Sequence, residues 1–182
     1  MKRAPLFDGR MESSLPHVFL YPGTMHCTRK PNVVTTVLGS CVAVCLIDRS
    51  RQLGGINHFL LPRGEDTSSL RHGGSAIAML LEEMLRLGAR AEDIEAKVFG
   101  GAAVLPVSKS EAPVGAKNVT VALNCLRALD IEVVARRTGG KNGMLIRLFT
   151  ATGDVLVRRV ASSTVEWPVD ELPFEFGRRL LA

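Results

Sequence analysis

Packed β-sheets flanked by helices, an α+β arrangement, is the fold class this sequence predicts, and three observations carry it. Five short strand-like segments crowd residues 17–61 before any helical pattern begins. One of them, Cys41–Asp48, is apolar on both faces, with Val42, Val44 and Leu46 alternating against Ala43, Cys45 and Ile47. Such a strand is buried on two sides and requires a layer above and another below. Two amphipathic helical stretches appear only later, inserted between further strands, which points to more than one sheet layer rather than to a regular parallel βα repeat.

The elements follow in order. Residues 1–15 show little periodicity and read as a loose arm, with the domain proper over 16–161. Strands are expected at about His17–Leu20, Met25–Arg29, Val33–Val37, Cys41–Asp48 and Leu53–Leu61, separated by Tyr21-Pro22-Gly23, Lys30-Pro31-Asn32 and Gly39-Ser40, all turn-forming sequences. Arg63–Ser69 is polar and leads into a helix over Gly74–Leu87, whose inner stripe is Ile77, Leu80, Leu81, Met84 and Leu85 and which Gly88 is placed to end. Ile94–Phe99 is a strand closed by Gly100-Gly101. A second helix over Ala116–Leu129 carries Val119, Ala122, Leu123 and Leu126 on one face, and Ile131–Ala135 returns as a strand. Met144–Thr150 and Val155–Val160 form a hairpin around Thr152-Gly153-Asp154, and residues 162–182, with Pro168 and Pro173, are a C-terminal tail.

With 182 residues the chain fits one domain and can bury roughly 70% of its unfolded surface. No apolar run approaches the roughly 18 residues that span a bilayer, and no apolar core follows Lys2 and Arg3, so the expected location is the cytoplasm. The formal charge of +5 favours acidic partners, but the basic residues are dispersed and one Tyr and one Trp make a poor stacking platform, which argues against nucleic acid. The four cysteines, Cys27, Cys41, Cys45 and Cys125, form no regular framework; Cys41 and Cys45 on one strand would lie about 13 Å apart, too far for a disulfide. With no C-x₂-C pair and no H-E-x-x-H, no metal is expected. Thr138-Gly139-Gly140-Lys141 and Phe99-Gly100-Gly101-Ala102 fit neither phosphate-binding fingerprint and read as turns.

Chemistry concentrates at Cys41 and His58. A hairpin closed by a two-residue loop at Arg49-Ser50 pairs Asp48 with Arg51 and, counting back, places Cys41 directly opposite His58. Directly opposed residues have Cβ atoms about 4.5–5.5 Å apart, within reach of a thiol–imidazole hydrogen bond. A buried packing cysteine is the bland alternative, and Cys45, Cys27 and Cys125 are read that way. His58 would take the thiol proton and return it to a leaving amine. Backbone amides of the turn at Gly39 and Ser40, together with Asn57, are candidate substrate or oxyanion contacts.

The runs Thr35-Thr36-Val37-Leu38-Gly39-Ser40-Cys41-Val42-Ala43-Val44-Cys45-Leu46 and Gly54-Gly55-Ile56-Asn57-His58-Phe59-Leu60-Leu61-Pro62 resemble the CheD family of chemoreceptor glutamine deamidases. Supporting likeness continues through Lys97–Ala102, Val114–Asn118, Thr138-Gly139-Gly140 and the Gly153 hairpin. The resemblance implies a cysteine hydrolase with a Cys-His-Thr constellation, placing the nucleophile on Cys41, the base on His58 and the threonine on Thr35. Thr36, its neighbour, points to the opposite face, so only one of the two can serve. It further implies a fold similar to the deamidating cytotoxic necrotizing factor toxins and no cofactor. The implied reaction is conversion of glutamines on methyl-accepting chemotaxis receptors to glutamates through a thioester, with glutamyl methyl ester hydrolysis open to the same site. The alternative function is an adaptor that binds a CheC-type phosphatase.

Overall fold

The computed structural model describes residues 14–103 and 112–160. The expected N-terminal arm and the C-terminal tail from residue 162 lie outside the described residues, save for Ser14 and Leu15 of the arm. Strands β1 (His17–Phe19), β2 (Thr24–Thr28), β3 (Val33–Leu38), β4 (Val42–Asp48) and β5 (Leu53–His58) come first. Helix α1 (Gly73–Arg86), β6 (Ile94–Gly100), helix α2 (Val114–Ala128), β7 (Glu132–Thr138), β8 (Gly143–Phe149) and β9 (Val155–Val160) follow. A four-stranded sheet has the order β1-β3-β8-β9, and a five-stranded sheet the order β2-β5-β4-β6-β7. The α+β class read from the sequence is the class observed.

Strand β4 explains the layering. Every residue of it is buried. Val42, Val44 and Leu46 enter a core with Ile77, Leu80 and Met84 of α1 and Ala122 and Leu126 of α2. Ala43, Cys45 and Ile47 enter a second core with Val34, Leu38, Met144, Ile146 and Leu148 of the opposing sheet. The period-two alternation of one strand thus feeds two cores, as double-sided burial demands. Helix α1 buries Ala76, Ile77, Leu80 and Met84, whereas Leu85, expected on the inner stripe, is exposed. Its position falls at the margin of the apolar face, one residue past Met84.

Two glycines of β5 let the layers approach. A Cβ on Gly54 would lie 2.4 Å from the Thr150 carbonyl oxygen, and one on Gly55 would lie 2.9 Å from Leu80 Cδ1. Side chains at these points would push the second sheet and α1 away.

The hairpin that orients the site differs from the expected one. The loop is Arg49–Gln52, and Asp48 pairs with Leu53. Asp48 Oδ1 accepts from Ser50 Oγ at 2.7 Å and from the Arg51 amide at 3.0 Å, while Gln52 takes the left-handed conformation at φ 51°. Those local bonds fix a four-residue turn centred one residue later than the sequence suggested, and the register moves by two. Cys41 therefore falls in line with Leu60, not with His58. Because the slip is even, both side chains keep the same face of the sheet.

Candidate active site

His58 is the last residue of β5, 1% exposed, and its ring points into the space between the sheets. There Nδ1 lies 2.8 Å from Thr36 Oγ1, and Thr36 Oγ1 donates to the Leu20 carbonyl, also at 2.8 Å. A carbonyl only accepts, so the single hydroxyl proton goes to Leu20. Toward the ring the hydroxyl can then only accept, which makes Nδ1 the protonated nitrogen and leaves the lone pair on Nε2. Nε2 is buried and has no hydrogen-bond partner among the described residues.

The threonine that reaches the histidine is therefore Thr36, and the expectation of Thr35 is corrected. Along β3, Val34, Thr36 and Leu38 face the opposing sheet, paired with Leu148, Ile146 and Met144 of the same core. Thr35 pairs with Arg147 on the other face. Strand alternation decides the matter, because a neighbouring residue cannot share the face.

Cys41 lies in the turn just before β4, half-buried, with its side chain against the inter-sheet core that His58 also faces. Burial raises its thiol pKa, and its own backbone amide opposes that shift. Burial lowers the His58 pKa to about 4, partly offset by the Leu20 carbonyl. At neutral pH the pair is accordingly a thiol and a neutral imidazole, not a preformed ion pair. Burial pushes Cys45 up to about 12 and Cys27 to about 12, both packed as the sequence indicated.

The turn carrying Cys41 is fixed from one side. The carbonyls of Gly39, Ser40 and Cys41 accept from the Ala102 amide at 2.8 Å, Asn118 Nδ2 at 3.0 Å and the Gly101 amide at 2.8 Å. With all three carbonyls held by the scaffold, the peptide planes are set; the Ser40 amide forms no backbone hydrogen bond among the described residues, and the Cys41 amide is directed at its own thiol. Consecutive amides of fixed orientation beside the sulfur can receive an oxyanion.

Asn57 does not join them. Its amide is fully buried on the face opposite His58, with Oδ1 accepting from the Val44 amide at 3.0 Å and Nδ2 donating to the Ala76 carbonyl at 2.9 Å. It bridges β4, β5 and α1 on the face away from His58, so the sequence assignment is corrected to a structural one. Asn118 escaped the sequence reading. Its signal was present: Gly115, Asn118, Ala122 and Leu126 form the buried stripe of α2, and a polar side chain within such a stripe needs a reason. Among the described residues no cluster of His, Cys, Asp and Glu is arranged to hold a metal, and no helix is long and apolar enough to cross a membrane.

The family model described as CheD chemotactic sensory transduction matches residues 60–159, more than half of the chain. A relative from Rhodospirillum rubrum named as a probable chemoreceptor glutamine deamidase CheD is 54% identical over 156 residues, covering 84% of this chain and 88% of its own length. A second, from Trichlorobacter lovleyi and of the same name, is 44% identical over 149 residues, 81% of this chain and 92% of its own. Among solved structures, the hypothetical protein YfiH of Bacillus licheniformis aligns at 17% identity and a TM-score of 0.43, covering 69% of this chain and 62% of that one. With the family model matching most of the domain and relatives aligned along nearly their whole length, the chain belongs to the CheD family.

Proposed function

We propose that this protein deamidates glutamine side chains of chemoreceptors to glutamate, with Cys41 as nucleophile, His58 as general base and acid, and Thr36 as the group that orients the imidazole. The observation that carries this reading is the Leu20–Thr36–His58 chain of hydrogen bonds, which leaves the basic nitrogen on the face where Cys41 packs. The names of the relatives supply the substrate class.

His58 Nε2 takes the Cys41 proton as sulfur attacks the amide carbon of a glutamine. Since burial disfavours both the free thiolate and the imidazolium, transfer and attack proceed together. The tetrahedral oxyanion is received by the Ser40 and Cys41 amides. Imidazolium returns its proton to the departing nitrogen, ammonia leaves, and a thioester remains. Water deprotonated by His58 then attacks the thioester, releasing glutamate and restoring the thiol. A glutamyl methyl ester would reach the same acyl-enzyme with methanol as the leaving group. No step calls for a metal or organic cofactor.

The test is incubation with receptor cytoplasmic fragments followed by peptide mass spectrometry. A gain of about 1 Da per modified glutamine, absent with Cys41→Ala, is expected on this chemistry. No gain with the wild-type protein, or an equal gain with the variant, would overturn the assignment and favour a purely binding role toward a CheC-type phosphatase.

A further inference from the structure

We infer that Asn118 is a positioning residue for this site, a side-chain clamp that sets the spacing between the nucleophile turn and the strand end bearing His58. The inference rests on the catalytic reading above and deepens it.

The need for a clamp arises from the ladder itself. Between β4 and β5 the last pair to exchange backbone hydrogen bonds is Val42 with Phe59, at 3.0 and 3.1 Å. Cys41 and Leu60 fall at the non-hydrogen-bonded position that follows, and one step further the two chains part: the Leu61 amide, which a regular ladder would return to the Ser40 carbonyl, donates to the Arg71 carbonyl at 3.0 Å. Cys41 thus stands just past the last backbone pair between β4 and β5, while His58 lies one residue inside it and is held on its other side by β2.

Asn118 spans that opening. Nδ2 donates to the Ser40 carbonyl at 3.0 Å and to the Leu60 carbonyl at 2.8 Å, one proton to each side. Ser40 precedes Cys41, and Leu60 follows His58 by two. Helix α2 holds the clamp rigidly. A Cβ on Gly115 would lie 2.5 Å from the Gly101 carbonyl oxygen and 2.9 Å from that of Ala102, so the helix start is pressed onto the turn that also binds the Gly39 and Cys41 backbone.

Packing alone does not account for an amide here. Asn118 is 0% exposed, and its Oδ1 is buried without a partner among the described residues. A leucine or methionine would fill the volume without an unmet acceptor. What the amide provides, and an apolar residue cannot, is two donors fixed in one plane, aimed at carbonyls on both sides of the gap.

The experiment measures Cys41 carbamidomethylation by iodoacetamide, read site by site by mass spectrometry, together with receptor-fragment deamidation. Asn118→Ala is expected to slow Cys41 alkylation at pH 7 by about tenfold or more and kcat by about ten- to a hundredfold, the scale of a misplacement of about 1 Å, with KM within about twofold. Leu126→Ala, a truncation on the same helix and away from the turn, separates positioning from loss of stability. Measured well below its Tm, it is expected to keep wild-type alkylation and kcat. Wild-type alkylation and kcat in Asn118→Ala, or an equal loss in folded Leu126→Ala, would overturn the inference. Should Asn118→Ala not fold, Asn118→Ser, which keeps one donor, is read the same way: reduced alkylation supports the clamp and wild-type alkylation refutes it. If Cys41→Ala still deamidates, the catalytic reading falls; if it is inactive while Asn118→Ala behaves as wild type, only the clamp does.

Discussion

Replacing Thr36 by valine tests the site where structure and sequence disagree. Valine has nearly the shape of threonine and suits a strand, so the substitution removes a hydroxyl and little else. Two hydrogen bonds go with it, one to the Leu20 carbonyl and one from His58 Nδ1, each 2.8 Å long and buried. Both partners then lose their bond in a dry environment, at about 1–3 kcal/mol for each unsatisfied group. Stability in urea should therefore fall by about 2–4 kcal/mol, allowing for partial relaxation. With no acceptor for Nδ1–H, the ring is no longer held in one orientation or one tautomer. Loss of one such orienting bond, about 1.4–3 kcal/mol, lowers kcat about ten- to a hundredfold. Thr35→Val is the control. Thr35 lies on the other face of β3, opposite Arg147, and its replacement should leave kcat within about twofold. The assay is deamidation of a receptor fragment by mass spectrometry, beside urea melts of both variants. An inactive Thr35→Val with an active Thr36→Val would refute the reasoning and return the role to Thr35.

Three further outcomes follow from the same geometry. Because burial holds the His58 pKa near 4 rather than 6.5, unfolding exposes a more basic group; the resulting stability, up to about 3 kcal/mol, is present above pH 6.5 and lost as pH falls toward 4. Urea melts across that range should show the loss in the wild type and not in His58→Gln, and the acid limb of kcat should lie nearer pH 4 than 6.5. Cys45→Ala, fully buried and remote from the turn, should cost about 1 kcal/mol in a thermal melt while leaving deamidation intact, in contrast to the inactive Cys41→Ala. Gly54→Ala places a methyl group 2.4 Å from the Thr150 carbonyl oxygen and should destabilise by about 1–3 kcal/mol in urea; unchanged stability would show that the sheets separate freely there.

Much of the fold was legible because its signals are local. The two-sided apolar alternation of β4 announced two cores, and glycine and proline turns marked nearly every strand end. The hairpin register was missed because it depends on Asp48 folding back over its own turn and on Gln52 accepting a left-handed backbone, choices that ordinary propensities do not favour. The error was harmless to the site only because an even slip preserves facing. Asn57 was misjudged for a related reason: proximity to His58 in sequence places it, one residue away on a strand, on the wrong side of the sheet.

By itself the sequence determined that a cysteine and a histidine stand on adjoining strands; that they share one face held because the register moved by an even number of residues. Tertiary structure alone decided which threonine orients the ring, because that bond crosses from one sheet to the other, and which amide closes the parted strands, because Asn118 comes from a helix 78 residues beyond Ser40. Periodicity fixes where a side chain points along its own strand. The distances between separate layers follow only from how their surfaces pack.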